Sequence, residues 1–146
     1  MRSRRLALGA LAAALAVVGG WAQFWPASFY RSFPAGRAWV AADGPFNEHL
    51  IRDVGGLNLA LCVLLAVAAW RARPELIRLA GVASLVYGLP HLAYHATHLN
   101  LYGTVDAVGN VVALAAAVVV PAWLAWAPEP QPAGGPAPGG WRRVET

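Results

Sequence analysis

Four apolar stretches, Leu6 to Trp25, Val54 to Trp70, Leu79 to about Thr97 and Val105 to Trp126, run through the sequence with almost no formal charge inside them. Each is close to the roughly 20 residues that a helix needs to cross a bilayer. In lipid every backbone polar group must be satisfied within the protein, which leaves helices and closed barrels as the spanning structures. The expected fold is therefore all-α, a polytopic transmembrane four-helix bundle over residues 1–127. Only 12% of the 146 residues are charged, against roughly a quarter in soluble domains, which excludes a water-soluble globular protein. With about 100 to 200 residues to a domain, no room remains for a separate catalytic module.

Charge sets the expected sidedness. Arg2, Arg4 and Arg5 precede the first span, Arg71, Arg73 and Arg78 lie between the second and third, and Arg142 and Arg143 end the chain. Only Arg31, Arg37 and Arg52 fall on the other side. The positive-inside rule then assigns both termini to the cytoplasm of a multi-pass plasma-membrane protein. A rival reading takes Arg2 to Ala22 as a cleavable signal peptide. Against it stand Trp21, Phe24 and Trp25, an interfacial aromatic belt, and a small-residue seam, Gly9, Ala13, Ala16 and Gly20, suited to helix contact. Gly55-Gly56 and Ala80, Ser84 and Gly88 have the same small-residue character. All eleven basic residues are Arg, a bias of GC-rich coding and of an actinobacterial type of composition, so no nucleic-acid partner is expected. The single cysteine, Cys62, excludes a Cys-x-x-Cys redox pair.

Between the first two spans lies an aromatic segment, Pro26 to Asp53, expected to lie on the membrane as an extracytoplasmic loop. Asp43-Gly44-Pro45 reads as a turn and Asn47 as the N-cap of the second helix. Residues 128–146 form a Pro/Gly-rich segment expected to be a disordered cytoplasmic tail.

The polar residues of the spans gather toward one end. At 100° per residue, His91, His95 and His98 lie within about 60° of one another on the third helix, and Ser84 and Tyr87 extend that stripe. Pro90 adjoins it and frees a backbone carbonyl. The antiparallel order brings Asp106 and Asn110 of the fourth helix to the same depth, with Glu48, His49, Arg52, Asp53 and Asn58 of the second. Polar groups within a span generally face the bundle interior.

Three readings of these residues stay open. His91, His95 and His98, with His49, Asp53, Glu48 or Asp106, have ligand types that suit a zinc, copper or iron ion, and His49 with His91 could be axial ligands of a haem. The same groups could line a pocket for a small amphipathic molecule such as a quinone or a lipid head. In an enzyme His91 and His95 would handle protons, oriented by Asp53 and Asp106. The third reading is a packing network in a structural or accessory subunit with a membrane-protein partner: Glu48 with Arg52, His49 with Asp53, and the histidines with Asp106 and Asn110. No phosphate loop, nucleophile elbow or zincin motif is present.

The stretch from Asn47 to Leu61, with Arg52, Gly55, Gly56 and Leu57, resembles the opening of the second helix in a group of uncharacterised bacterial four-helix membrane proteins related to the DoxX-like superfamily. That resemblance implies the four-span layout. DoxX itself is associated with sulfur-compound and quinone-linked oxidation. The His91, His95 and His98 stripe has no counterpart in the resemblance, and no reaction is carried over.

Overall fold

A computed structural model describes residues 1–128; the expected tail from 129 onward lies outside the described residues. Four long helices dominate: α1 (Arg2–Phe24), α4 (Glu48–Arg71), α5 (Pro74–Thr97) and α6 (Thr104–Trp126). Two short helices, α2 (Pro26–Ser32) and α3 (Trp39–Ala42), follow α1, and a 3₁₀ turn at Leu99–Leu101 joins α5 to α6. The architecture is an all-α four-helix bundle, and all four long helices have the length and composition to cross a membrane. Their outward faces are apolar: Leu6, Val17, Val63, Val86, Val112 and Val119 are each at least 62% exposed. Such a surface cannot face water in bulk, so the chain is a multi-pass membrane protein.

Every helix begins earlier than its apolar run, because the polar turns at the ends complete it. Asn47 caps α4 as expected, its Oδ1 accepting from Leu50 N at 3.1 Å. Arg52 within the first turns of α4 donates from Nε to Glu48 at 2.9 Å and from Nη1 to the Gln23 carbonyl at the end of α1. α4 ends at Ala72, which adopts a left-handed conformation at φ 50°, and Pro74 then starts α5 at a position where its missing N–H costs nothing.

The four helices associate as two close pairs, α1 with α4 and α5 with α6, with thinner contact between α4 and α5 and very little between α1 and α6. Glycine makes each pair close. A Cβ on Gly19 would stand 2.9 Å from the Gly55 carbonyl oxygen, and one on Gly55 would stand 2.6 Å from Gln23 N. On the other pair a Cβ on Gly81 would meet the Pro121 carbonyl at 2.8 Å. Ala80, Ser84 and Gly88 are buried on α5, as their small-residue spacing implies. The seam on α1 is different from the expected one: Gly9 and Gly20 meet nothing within 4 Å, whereas Leu8, Ala12, Gly19 and Ala22 are buried. The contact face is rotated by one residue, since it is Gly19 that opposes Gly55.

Where the two pairs meet near the chain termini, Leu8, Leu65, Ala68, Ile77, Ala80 and Leu124 close the core. At the opposite end the interhelical space is roofed by α2, α3 and their connecting loop. Phe29 packs with Ala22 and Ile51 beneath this roof, and Trp21, Phe29, Phe33 and Trp39 form a chain of ring contacts with centroids 4.7 to 6.3 Å apart. The aromatic segment is therefore a folded cap on the bundle.

Candidate functional site

Between the two helix pairs, under the cap, lies a cavity of about 530 Å³. It follows from the packing: glycine lets each pair close on itself, and nothing of similar size draws the pairs together along their middle. Aliphatic side chains of all four long helices make most of its wall, and pockets of this size and character hold small organic molecules. Its polar lining comes from Asn58 on α4, Ser84, Tyr87, His91, Tyr94 and His95 on α5, Asn110 on α6, and Asp43 in the cap.

The stripe on α5 is realised for four of its five members. Ser84, Tyr87, His91 and His95 all line the cavity. Tyr87 stacks on His91 with centroids 5.3 Å apart, and the rings of His91 and His95 meet edge to face at 4.7 Å. His98 leaves the stripe because α5 ends at Thr97. It stacks on Tyr94 at 4.1 Å, and its Nδ1 lies 2.8 Å from the Tyr94 carbonyl oxygen.

The carboxylates are arranged otherwise than expected. Asp106 does not reach the histidines. Its Oδ1 accepts from Arg37 Nη1 at 2.5 Å and from Trp39 Nε1 at 2.8 Å, tying the cap to α6. His49 and Asp53 do pair, Nδ1 to Oδ2 at 3.1 Å, but their side chains are 85% and 62% exposed, and neither lines the cavity. An outward i, i+4 pair on α4 has turned them from the interior. His49 and His91 do not face a common space as axial haem ligands would, and among the described residues Asp53 and Asp106 make no contact that orients His91 or His95. Glu48 and Arg52 form the expected pair at 2.8 Å, also at the rim. Among the described residues no three His, Cys, Asp or Glu side chains converge as a metal site requires, so the expected zinc, copper or iron set is not assembled.

The acid that serves this end of the cavity is Asp43, read from sequence only as part of a turn. Tyr102 donates its hydroxyl to Asp43 Oδ1 at 2.9 Å, and the Tyr102 hydroxyl oxygen stands 3.3 Å from His95 Nδ1. A hydrogen-bonded line, His95 to Tyr102 to Asp43, thus runs from a buried histidine to an exposed carboxylate. Burial raises the Tyr102 pKa above its ordinary value, and the hydrogen bond and charge of Asp43 raise it further. Tyr102 and Asp43 lie in loops, where no periodicity relates them to the helical stripe.

Two buried amides sit deeper. Asn58 is 2% exposed and donates from Nδ2 to the Val54 carbonyl one turn back at 2.8 Å. Ser84 likewise donates to the Ala80 carbonyl at 2.8 Å. Asn110 is 3% exposed, and its Oδ1 is buried with no hydrogen-bond partner. No other buried side-chain oxygen or nitrogen among the described residues is left this way. No family model, curated protein or solved structure matches the chain.

Proposed function

We propose that this protein binds a small amphipathic molecule in the cavity between its helix pairs, with the apolar body among the aliphatic walls and a polar head directed at Asn110. The unpartnered Oδ1 carries this reading. A buried acceptor left unsatisfied costs about 1–3 kcal/mol, and because Oδ1 is closed off in the empty protein, a ligand meets the Asn110 amide once that side chain turns toward the cavity it lines. The Asn110 amide carries both an acceptor and donors, so the hydroxyl of a quinol or glyceride and the carbonyl of a quinone each suit it. His91 and Tyr87 lie on the same wall to receive a second polar atom, and His95, Tyr102 and Asp43 form a polar line toward the cap.

A purely structural role for the polar residues has less support. Groups that lock helices together bond across helices, but Ser84 bonds within its own helix and Asn110 Oδ1 bonds to nothing among the described residues; Asn58 alone, bonded to the Val54 carbonyl, also engages Tyr87 across on α5. The arginine asymmetry, eight against three, supports a plasma-membrane protein with both termini in the cytoplasm and the cap outside, so that the ligand enters from the extracytoplasmic leaflet. The DoxX-like relationship rests on Arg52, Gly55, Gly56 and Leu57 and adds no reaction to this proposal.

Organic extraction and native mass spectrometry of protein purified in mild detergent test it, together with titration by a short-chain benzoquinol and a monoacylglycerol. Stoichiometric retention of one such molecule, lost in Asn110→Leu, is the expected result. An empty wild-type protein that binds neither probe, or binding that Asn110→Leu leaves unchanged, overturns it.

A further inference from the structure

At the end of the bundle opposite the cap, a second cavity of about 650 Å³ lies between the start of α5 and the end of α6. Arg4, from the first turn of α1, lines it and is only 5% exposed. Its Nη2 donates to the Ala127 and Pro128 carbonyls at 2.7 and 2.5 Å. A guanidinium carries five N–H donors, and these contacts leave Nε and Nη1 unengaged among the described residues. None of the ion pairs among the described residues includes Arg4. Neither Nε nor Nη1 is among the buried unpartnered atoms, so both keep accessible surface where Arg4 lines the cavity.

The surroundings say what the counter-charge would be. Arg78 lines the same cavity and donates from Nε to the Ala125 carbonyl at 3.2 Å. The first turn of α5 opens there with no side-chain cap, so the positive end of its dipole faces the same space. Among the described residues one carboxylate, Glu75, stands in the lining against two guanidinium groups. One further negative charge closes the balance. Leu79, Val82 and Trp126 continue the wall onto the outer surface and are 54%, 40% and 65% exposed. The cationic end of the cavity thus passes directly into the apolar surface that faces lipid.

We propose that this cavity is a phospholipid site, taking the phosphodiester of a singly anionic glycerophospholipid, of the phosphatidylglycerol class, on Arg4 and Arg78, with an acyl chain along Leu79 and Val82. Basic pockets between membrane helices recognise lipid phosphate by this chemistry. A zwitterionic phosphatidylethanolamine brings the same phosphate but an added ammonium, and so leaves the excess positive charge in place. Free inorganic phosphate shares the anionic group but has nothing to lay on the apolar wall. The site is independent of the cavity under the cap.

The full chain in mild detergent is titrated with short-chain phosphatidylglycerol, short-chain phosphatidylethanolamine and inorganic phosphate, with binding read by native mass spectrometry and melting temperature by circular dichroism. Phosphatidylglycerol is expected to bind about tenfold more tightly than phosphatidylethanolamine and to resist millimolar phosphate. Arg78→Gln is expected to weaken it about tenfold, the loss of one charge-assisted contact, in a protein that stays folded by circular dichroism although its bond to the Ala125 carbonyl is lost. Arg4→Gln also removes the cap on α6, so Arg78→Gln decides the question if Arg4→Gln fails to fold. Equal binding of the two lipids, phosphate competing on a par with lipid, or undiminished binding in Arg78→Gln each overturns the proposal.

Discussion

Asn110 is the residue on which stability and binding make opposite demands. Its oxygen is buried without a partner, so the empty protein carries an unsatisfied acceptor that a hydrocarbon side chain of similar volume would not have. Asn110→Leu is therefore expected to raise the stability of the ligand-free protein, by about 1–3 kcal/mol, while abolishing ligand retention. Thermal melting in detergent checks it, and a fall in melting temperature would mean that the amide is held by a packing role. Tyr102 offers a second residue-scale test. Its proton is held more firmly in the folded protein than in the unfolded chain, first by burial and then by Asp43. The linked stabilisation is complete below the ordinary tyrosine pKa of about 10 and is lost as pH rises through the folded value. The 295 nm absorbance difference between wild type and Tyr102→Phe is expected to show this residue less than half ionised at about pH 10, where a free tyrosine would be half ionised.

At the level of helices, the glycines divide by what faces them. Gly55→Ala and Gly81→Ala set a methyl group against backbone atoms at 2.6 and 2.8 Å, which the partner helix cannot yield without sliding, and each is expected to cost about 1–3 kcal/mol. Gly9→Ala meets open space and is expected to be neutral or stabilising by up to about 1 kcal/mol. Unfolding titrations in SDS distinguish the three. The same contrast explains how far the sequence could be read. Four spans, the Asn47 cap and the α5 stripe are local properties, set by apolar run length and by 100° periodicity, and each is legible in the residues. Which face of α1 packs is not local. Gly9, Ala13, Ala16 and Gly20 are as small as the face actually used, because lipid accepts small residues on an outward surface as readily as a partner helix does. Only the position of Gly55 decides between them. The carboxylates diverge for a related reason: Asp53 and Asp106 share a depth with the histidines, but depth does not fix azimuth, and the cap loop that supplies Asp43 and engages Asp106 follows no period.

Seen as one molecule, the protein is two closely packed helix pairs bridged by a cap. The cap belongs covalently to the α1 and α4 pair, since it is the segment joining them, and it is fastened to the other pair at two places: Asp106 of α6 holds Arg37 and Trp39, and Tyr102 holds Asp43. Trp39, Val40 and Asp43 of that cap also line the cavity. The cap therefore stands over the route from the polar end of the cavity to its surroundings, and a ligand entering there must undo these side-chain bonds while the helix pairs stay intact. Releasing a fastening of this kind speeds entry and exit together, because it lowers the barrier between two states without touching the groups that contact the ligand. Asp106→Asn, which weakens the grip on Arg37 and leaves an acceptor for Trp39, is expected to raise both the association and dissociation rates of a bound quinol by about tenfold, with the equilibrium constant changed less than about threefold. Stopped-flow quenching of tryptophan fluorescence measures both rates. If Asp106→Asn instead lowers affinity at an unchanged association rate, Asp106 acts on the bound ligand and the entrance lies between the helix pairs in the lipid-facing wall.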